Sequence, residues 1–287
     1  MDRDDSLAER IDRDGYAVVE SLFTPAEIAS LRESCDRFFA TRPHMRSNLG
    51  RNIPNAVEYV PDIHWLYSHP RVISTFREAL GSEDIVFTRH CDIAKNRLSA
   101  WHKDTGQSPP YFSGDFIHDD ACRVYKMALY LEDHVDDGCG LWVRRGSHRL
   151  PDLQSGETLH LPTRAGDAVV FDVRLTHSGQ RPDRVEDAIS AAAKAMPVRG
   201  HRRHQRELFV RAKDLYWKAV GRGSRTSIFF TYGFPNRRTD EFSARNMTRQ
   251  GEQNSVLRGL DPVRCDRLFA DLEAAGIRVF HPAEAAA

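Results

Sequence analysis

Residues 101–104 read Trp-His-Lys-Asp. In an extended segment, side chains i and i+2 leave on one face, so His102 and Asp104 point together and Lys103 points away. An imidazole and a carboxylate set side by side can bind a metal ion if a third ligand arrives from elsewhere. They can equally form an ordinary pair. Downstream, AGDAVVFD (165–172) reads as a turn and a buried strand, and His177 follows just before Ser178-Gly179. His102, Asp104 and His177 together make two imidazoles and one carboxylate, the facial ligand set of a non-haem Fe(II) oxygenase. Such a set leaves positions open for O₂ and other ligands, and it lacks the thiolates that favour zinc. The chain holds 13 histidines, so spacing alone keeps plainer roles open: a core or surface imidazole at 102, a turn carboxylate at 104, a strand cap at 177.

Several elements must position these residues. DGYAVVESLF (14–23) alternates as a strand does, and a helix follows from Thr24, with Pro25 and Glu27 completing an N-terminal capping pattern. Residues 41–57 read as a loop, and 70–81 as a short helix opened by Pro70 and stopped by Gly81. From there the period becomes strand-like: 85–91, 126–133, 140–148, 165–172 and 226–233 all fit strands. The expected body is mainly β behind a helical N-terminal part, and 261–276 resumes as a helix ending at Gly276. Residues 181–223 interrupt the strands with a mixed, partly helical and basic stretch, expected to be an insertion or a lid over the active site in a single domain rather than a second domain.

Composition excludes several classes. Lys plus Arg and Asp plus Glu balance at 41 each, so no global charge draws the protein to nucleic acid or an anionic membrane. No apolar run is long enough to span a bilayer, and the polar opening MDRDDSLAER does not read as a signal peptide. The five cysteines, Cys35, Cys91, Cys122, Cys139 and Cys265, are scattered, odd in number and without a CxxC, as expected of free thiols in a reducing cytoplasm.

Five stretches, in order, resemble the phytanoyl-CoA dioxygenase family of Fe(II)/2-oxoglutarate-dependent oxygenases. They are DGYAVVESLFTPAEIASLR, WHKDTG with its HxD pattern, YKMALYLEDHVDDGCGLWVRRGSHR, AGDAVVFDVRLTHSG with the distal histidine, and SRTSIFFTYG. The resemblance runs over roughly residues 13–235, apart from the insertion. It departs from the family at WVRRGSHR, where a proline more often precedes Gly-Ser-His, and in the long interval before Arg225.

The resemblance implies a double-stranded β-helix (a jelly roll, cupin-like) with flanking helices and an iron site between two sheets. It implies His102, Asp104 and His177 as catalytic metal ligands, Fe(II) as cofactor, 2-oxoglutarate and O₂ as cosubstrates, and succinate and CO₂ as by-products. A carboxylate at 104 occupies the position that related halogenases leave to a halide, so hydroxylation or another C–H oxidation is expected. The far carboxylate of 2-oxoglutarate needs a fixed cation whose fork can take both oxygens. Arg225, just before a strand, is the expected anchor, with Arg181 and Arg184 as rivals. Lys126, Tyr125 and Thr88 are further candidates for cosubstrate contact.

The substrate is expected to be a small-molecule metabolite of a biosynthetic tailoring step, walled by loop 105–120 with Tyr111, Phe112, Phe116 and His118, by loop 46–65 and by the insertion. The basic run HRRHQRELFVRAK adds an anionic or sugar-containing compound as an option. A monomer or a homodimer fits equally. Two other classes carry the same ligand types: a non-catalytic metal- or ligand-binding member of the fold, and a cupin-like metal isomerase.

Overall fold

The structure is a computed structural model that describes residues 5–42, 45–47, 49–106, 115–135, 139–179, 182–195, 202–254 and 260–281. Its strands are β1 (Tyr16–Val19), β2 (Met45–Ser47), β3 (Gly50–Pro54), β4 (Val86–Lys95), β5 (Val124–Tyr130), β6 (Leu141–Arg145), β7 (Glu157–Leu161), β8 (Ala168–Asp172), β9 (His177–Ser178), β10 (Thr226–Gly233) and β11 (Arg278–Val279). The helices are α1 (Leu7–Asp14), α2 (Pro25–Thr41), α3 (His64–Tyr67), α4 (Pro70–Leu80), α5 (Asp115–His118), α6 (Arg184–Ala195), α7 (Arg202–Ala219), α8 (Arg237–Asn254) and α9 (Asp266–Ala274).

One sheet has eight strands, in the order β1-β8-β5-β10-β4-β3-β2, with β11 pairing parallel to β4; a second has three, in the order β7-β6-β9. Strand alternation divides the larger sheet into two faces. Met127 and Leu129 of β5, Ile228 and Phe230 of β10 and Val170 of β8 turn to a core shared with Leu31 and Cys35 of α2, Phe76 of α4 and Leu272 of α9. The alternate residues, Ala128 and Tyr130 of β5 with Val169 and Phe171 of β8, meet Leu141 and Val143 of β6 and Leu161 of β7. This second cluster lies between the two sheets. Both faces of the large sheet are therefore covered, and each fully buried aromatic or aliphatic side chain contributes roughly 2 kcal/mol of transfer free energy.

The start of α2 forms as its sequence requires. Thr24 Oγ1 accepts from Glu27 N at 3.3 Å, and Glu27 Oε2 accepts from Thr24 N at 2.7 Å, with Pro25 at the first helical position. Gly81 closes α4 in the left-handed region at φ 57°.

Other expectations are corrected. The loop over 41–57 contains β2, β3 and a 3₁₀ turn at Ala56–Glu58. The strand over 85–91 continues to Lys95, which brings Asp92 and Ala94 to the site. The C-terminal helix starts at Asp266, not at 261. Helix α8, lying on β4, has no counterpart in the sequence reading, and with the other helices it makes the chain a mixed α/β fold around a core sheet. In the excursion after β9, α6 packs on α7, and Trp217 is buried with Leu49 and Leu98, while Leu208 and Leu215 are exposed at 65% and 68%. All five cysteines are buried and free. Among the described residues no helix is long and apolar enough to cross a membrane.

Candidate active site

Backbone pairing brings His102 and His177 together. His102 N donates to His177 O at 3.0 Å and His177 N donates to His102 O at 2.9 Å, so the two residues form an antiparallel bridge beside β9. Their rings lie 4.3 Å apart. Only His102 of the Trp-His-Lys-Asp stretch is in a ladder. Asp104 begins a turn in which Gly106 N donates to Lys103 O at 3.2 Å, and its own N–H donates to Val173 O at 2.9 Å. The carboxylate still comes to the imidazoles: one ligand atom each from His102, Asp104 and His177 lie within 4.8 Å of one another.

The tautomers follow from the hydrogen bonds. His102 Nδ1 lies 2.8 Å from Ala100 O, and His177 Nδ1 lies 2.9 Å from Leu175 O. A carbonyl only accepts, so each Nδ1 carries the proton and each Nε2 keeps its lone pair for a metal. These Nε2 atoms lie 3.9 and 3.8 Å from the Asp104 oxygens. Burial, then the neighbouring His102, pushes the His177 pKa down to about 3, so this imidazole is neutral at ordinary pH. Burial opposes the Asp104 charge, but Lys126, His177 and His102 outweigh it and hold the carboxyl well below the usual range. The arrangement can hold a divalent metal through two neutral nitrogens and one anionic oxygen, the donor set suited to iron(II).

Ser147, in the Gly-Ser-His turn after β6, ties both ligand segments. Its carbonyl accepts from Lys103 Nζ at 2.6 Å, and its hydroxyl accepts from Thr176 N at 2.9 Å. Lys103 is among the residues lining the cavity described below, but its ammonium is buried against this carbonyl and also donates to Arg174 O at 2.8 Å.

The triad opens on a cavity of about 240 Å³ whose lining includes Asp92, Arg97, Lys126, Arg225, Phe229 and Arg249. Arg225 is buried, its N–H donates to Asn96 Oδ1 at 2.8 Å, and its guanidinium donates to Arg97 O. Lys126 also faces the cavity, but its Nζ is bound at 2.6 Å to Asp104. Thr88 does not line the cavity; it is buried and donates to Thr231 O at 3.1 Å. Tyr125 points to the other face of the sheet. Arg184 is an exposed residue at the start of α6, and Arg181 lies outside the described residues. Tyr111 and Phe112 lie outside them too. Phe116 is buried with Cys122, Val124, Val173 and Phe242 as core, and His118 is exposed. Among the described residues, none from 46–65 or from 182–222 lines the cavity.

Sequence reasoning missed Asp92, Arg97 and Arg249. Continued alternation past Cys91 signals Asp92; Arg249 depends on where α8 docks, and no local pattern encodes that.

The profile of the phytanoyl-CoA dioxygenase (PhyH) family matches residues 11–182, more than half of the chain. Ectoine dioxygenase of Nocardia farcinica (strain IFM 10152) is 22% identical over 157 residues, 48% of this chain and 49% of that protein. The chain thus spans about half the length of the curated relative it matches. Among solved structures, the non-haem alpha ketoglutarate dependent epimerase SnoN from nogalamycin biosynthesis is similar with a TM-score of 0.56 and 18% identity over 90% of this chain and 91% of that one. The carbocyclase SnoK from the same biosynthesis gives 0.56 and 14% over 89% and 90%. HygX of Streptomyces hygroscopicus, solved with nickel and 2-oxoglutarate bound, gives 0.51 and 15% over 78% and 85%. At these identities the structural likeness is one of fold.

Proposed function

The chain belongs to the phytanoyl-CoA dioxygenase family, and on that footing we propose that it is an Fe(II)/2-oxoglutarate-dependent oxygenase that oxidises an unactivated C–H bond of a small metabolite in a biosynthetic tailoring step. The observation that carries this reading is the triad itself: three ligand atoms within 4.8 Å, both Nε2 atoms left unprotonated, at the wall of a cavity that also holds a buried arginine. The two facing sheets support reading the body as the family's double-stranded β-helix, and the chain as one domain with α6 and α7 inserted in it.

In this reading His102, Asp104 and His177 hold iron, which supplies the activation of O₂ that no side chain can provide. Arg225 takes the far carboxylate of 2-oxoglutarate in its planar fork. Its bond to the Arg97 carbonyl and the Asn96 contact to its backbone fix the direction of that fork before the cosubstrate arrives. Asp104 stays ionised and the imidazoles stay neutral, so no proton has to leave when the metal binds. Phe229 and the Phe171 ring, 4.7 Å from that of His177, keep water from the triad's inner side. Asp104 fills the position a halide would need, which favours oxygenation over halogen transfer. The neighbours from nogalamycin biosynthesis and HygX support a secondary metabolite, sugar-containing among the options, as substrate.

The test is anaerobic binding of 2-oxoglutarate to the Fe(II)-loaded protein, followed by succinate release on admitting O₂. Cosubstrate binding that needs the metal, and succinate in proportion to O₂, are expected. A protein that binds metal but neither takes up nor decarboxylates 2-oxoglutarate refutes the reading and leaves a binding role or an isomerase.

A further inference from the structure

Apart from Lys103, whose ammonium is tied to the Ser147 and Arg174 carbonyls, the cavity sets four cationic side chains, Arg97, Lys126, Arg225 and Arg249, against two carboxylates, Asp92 and Asp104. Iron would add two positive charges and 2-oxoglutarate would remove two, so the filled site keeps an excess of two cations. This ledger rests on the function proposed above, because it assigns Arg225 to the cosubstrate; Lys126 is already bound to Asp104.

The remaining pair is Arg97, just after β4, and Arg249, on α8. Neither guanidinium forms an ion pair with a described carboxylate. Arg97 Nη1 donates to the Asn52 side-chain oxygen at 3.4 Å, and Arg249 Nη2 donates to the Asn246 side chain and lies 3.3 Å from His90 Nε2. The Nε of each is buried without a hydrogen-bond partner. Asp92, the acid that acts most strongly on Arg97, takes its own bonds elsewhere, from His90 Nε2 at 3.3 Å and Gln250 Nε2 at 3.4 Å. Both arginines are half-buried, and the carboxylate left to them, Asp92, acts on both without pairing to either, so the two keep a net positive charge that a ligand would complete. Both line the same cavity as the metal triad, where a substrate must lie.

We propose that Arg97 and Arg249 form a substrate subsite for an oxoanion, so that the compound oxidised carries a phosphate or carboxylate group. A phosphate monoester closes the charge balance and a carboxylate closes half of it. Planar guanidinium forks suit either group, and their position between β4 and α8 places the anion to one side of the metal, leaving the rest of the substrate over the open face.

The test is calorimetric titration of inorganic phosphate, and separately of acetate, into protein loaded with Mn(II) and saturating 2-oxoglutarate. Phosphate is expected to bind more tightly than acetate, and Arg97→Gln and Arg249→Gln are each expected to weaken phosphate by about tenfold or more. Arg149→Gln, on the surface beside Asp12, is the control and leaves phosphate binding unchanged. If a Gln variant does not fold, Arg97→Lys and Arg249→Lys keep the charge and lose the fork, with a smaller expected loss of about threefold. No phosphate uptake by the parent protein, or undiminished uptake in the arginine variants, overturns the subsite. Failure of 2-oxoglutarate to bind with Mn(II) instead overturns the function on which the ledger rests, and the two failures are separately visible in one titration series.

Discussion

Lys126 Nζ lies 2.6 Å from Asp104 Oδ2, and both side chains are buried. The lysine thus supplies the positive charge that a metal would bring to this carboxylate. Replacing Lys126 by Met leaves a buried anion unmatched and should cost the metal-free protein roughly 3–5 kcal/mol. Mn(II) should restore most of that loss, so the metal-induced rise in Tm grows in the variant. Thermal unfolding with and without Mn(II) checks this, and a variant as stable as the parent without metal contradicts it.

His177→Ala and Asp104→Ala each remove one of three donors. Metal affinity should fall by at least about 100-fold, since even changes behind a ligand cost about 10–100-fold. Equilibrium dialysis with Mn(II) reads the loss directly, and retained affinity in either variant moves the metal elsewhere.

Arg225→Ala should raise the Kd for 2-oxoglutarate by roughly 10–100-fold, because hydrogen bonds to a charged group are worth about 1.5–3 kcal/mol. Lysine at 225 restores charge without the fork and should recover only part. An unchanged Kd in Arg225→Ala would return the role to Arg181 or Arg184.

Stability of the metal-free protein should depend on pH with a definite sign. Burial, then Lys126, pushes the His90 pKa down to about 4, and burial with His102 pushes that of His177 to about 3, from an ordinary value of 6.5. The unfolded chain therefore binds more protons below that value, and stability falls as the solution is acidified. Each histidine should cost roughly 2 kcal/mol by about pH 5. Asp92 and Asp104, held below the usual range, add their loss only below the ordinary carboxylate value of 3.8. A Tm that stays flat between about pH 7.5 and about pH 5 would contradict this.

Gly50 sits against the chain after β4: a Cβ there would lie 2.3 Å from Arg97 Cα and 2.6 Å from Asn96 O. Because backbone cannot move aside as a side-chain tip can, Gly50→Ala should destabilise by about 1–3 kcal/mol. Denaturant unfolding measures it, and an unchanged midpoint would mean that β3 shifts freely.

The site was legible where chemistry and local pattern coincide. His102, Asp104, His177 and Arg225 all line one cavity: His102 and His177 share a bridge, Asp104 follows in the next turn, and Arg225 directly precedes β10. The α2 cap was legible because its signal spans only four residues. What stayed hidden depends on distance in the chain. Thr88 looked like Lys126 as a polar strand residue, but Thr231 across the sheet takes its hydroxyl. Strands β2 and β9 have only three and two residues, too few for a period to show, and form because their partners pair with them. Helix α8 is strongly polar, and its docking on β4, which brings Arg249 to the cavity, is a tertiary event.

The bridge between His102 and His177 is made by peptide groups, not by side chains. Spacing between the two imidazoles is consequently inherited from main-chain geometry, which every amino acid shares. Insertions after Gly179 or replacements in the surrounding loops can then accumulate without detuning that spacing. An engineer wishing to retarget this protein has a fixed reaction centre and a freely editable periphery, with the edge of permissible change drawn at Ser147, where both ligand-bearing segments are tied.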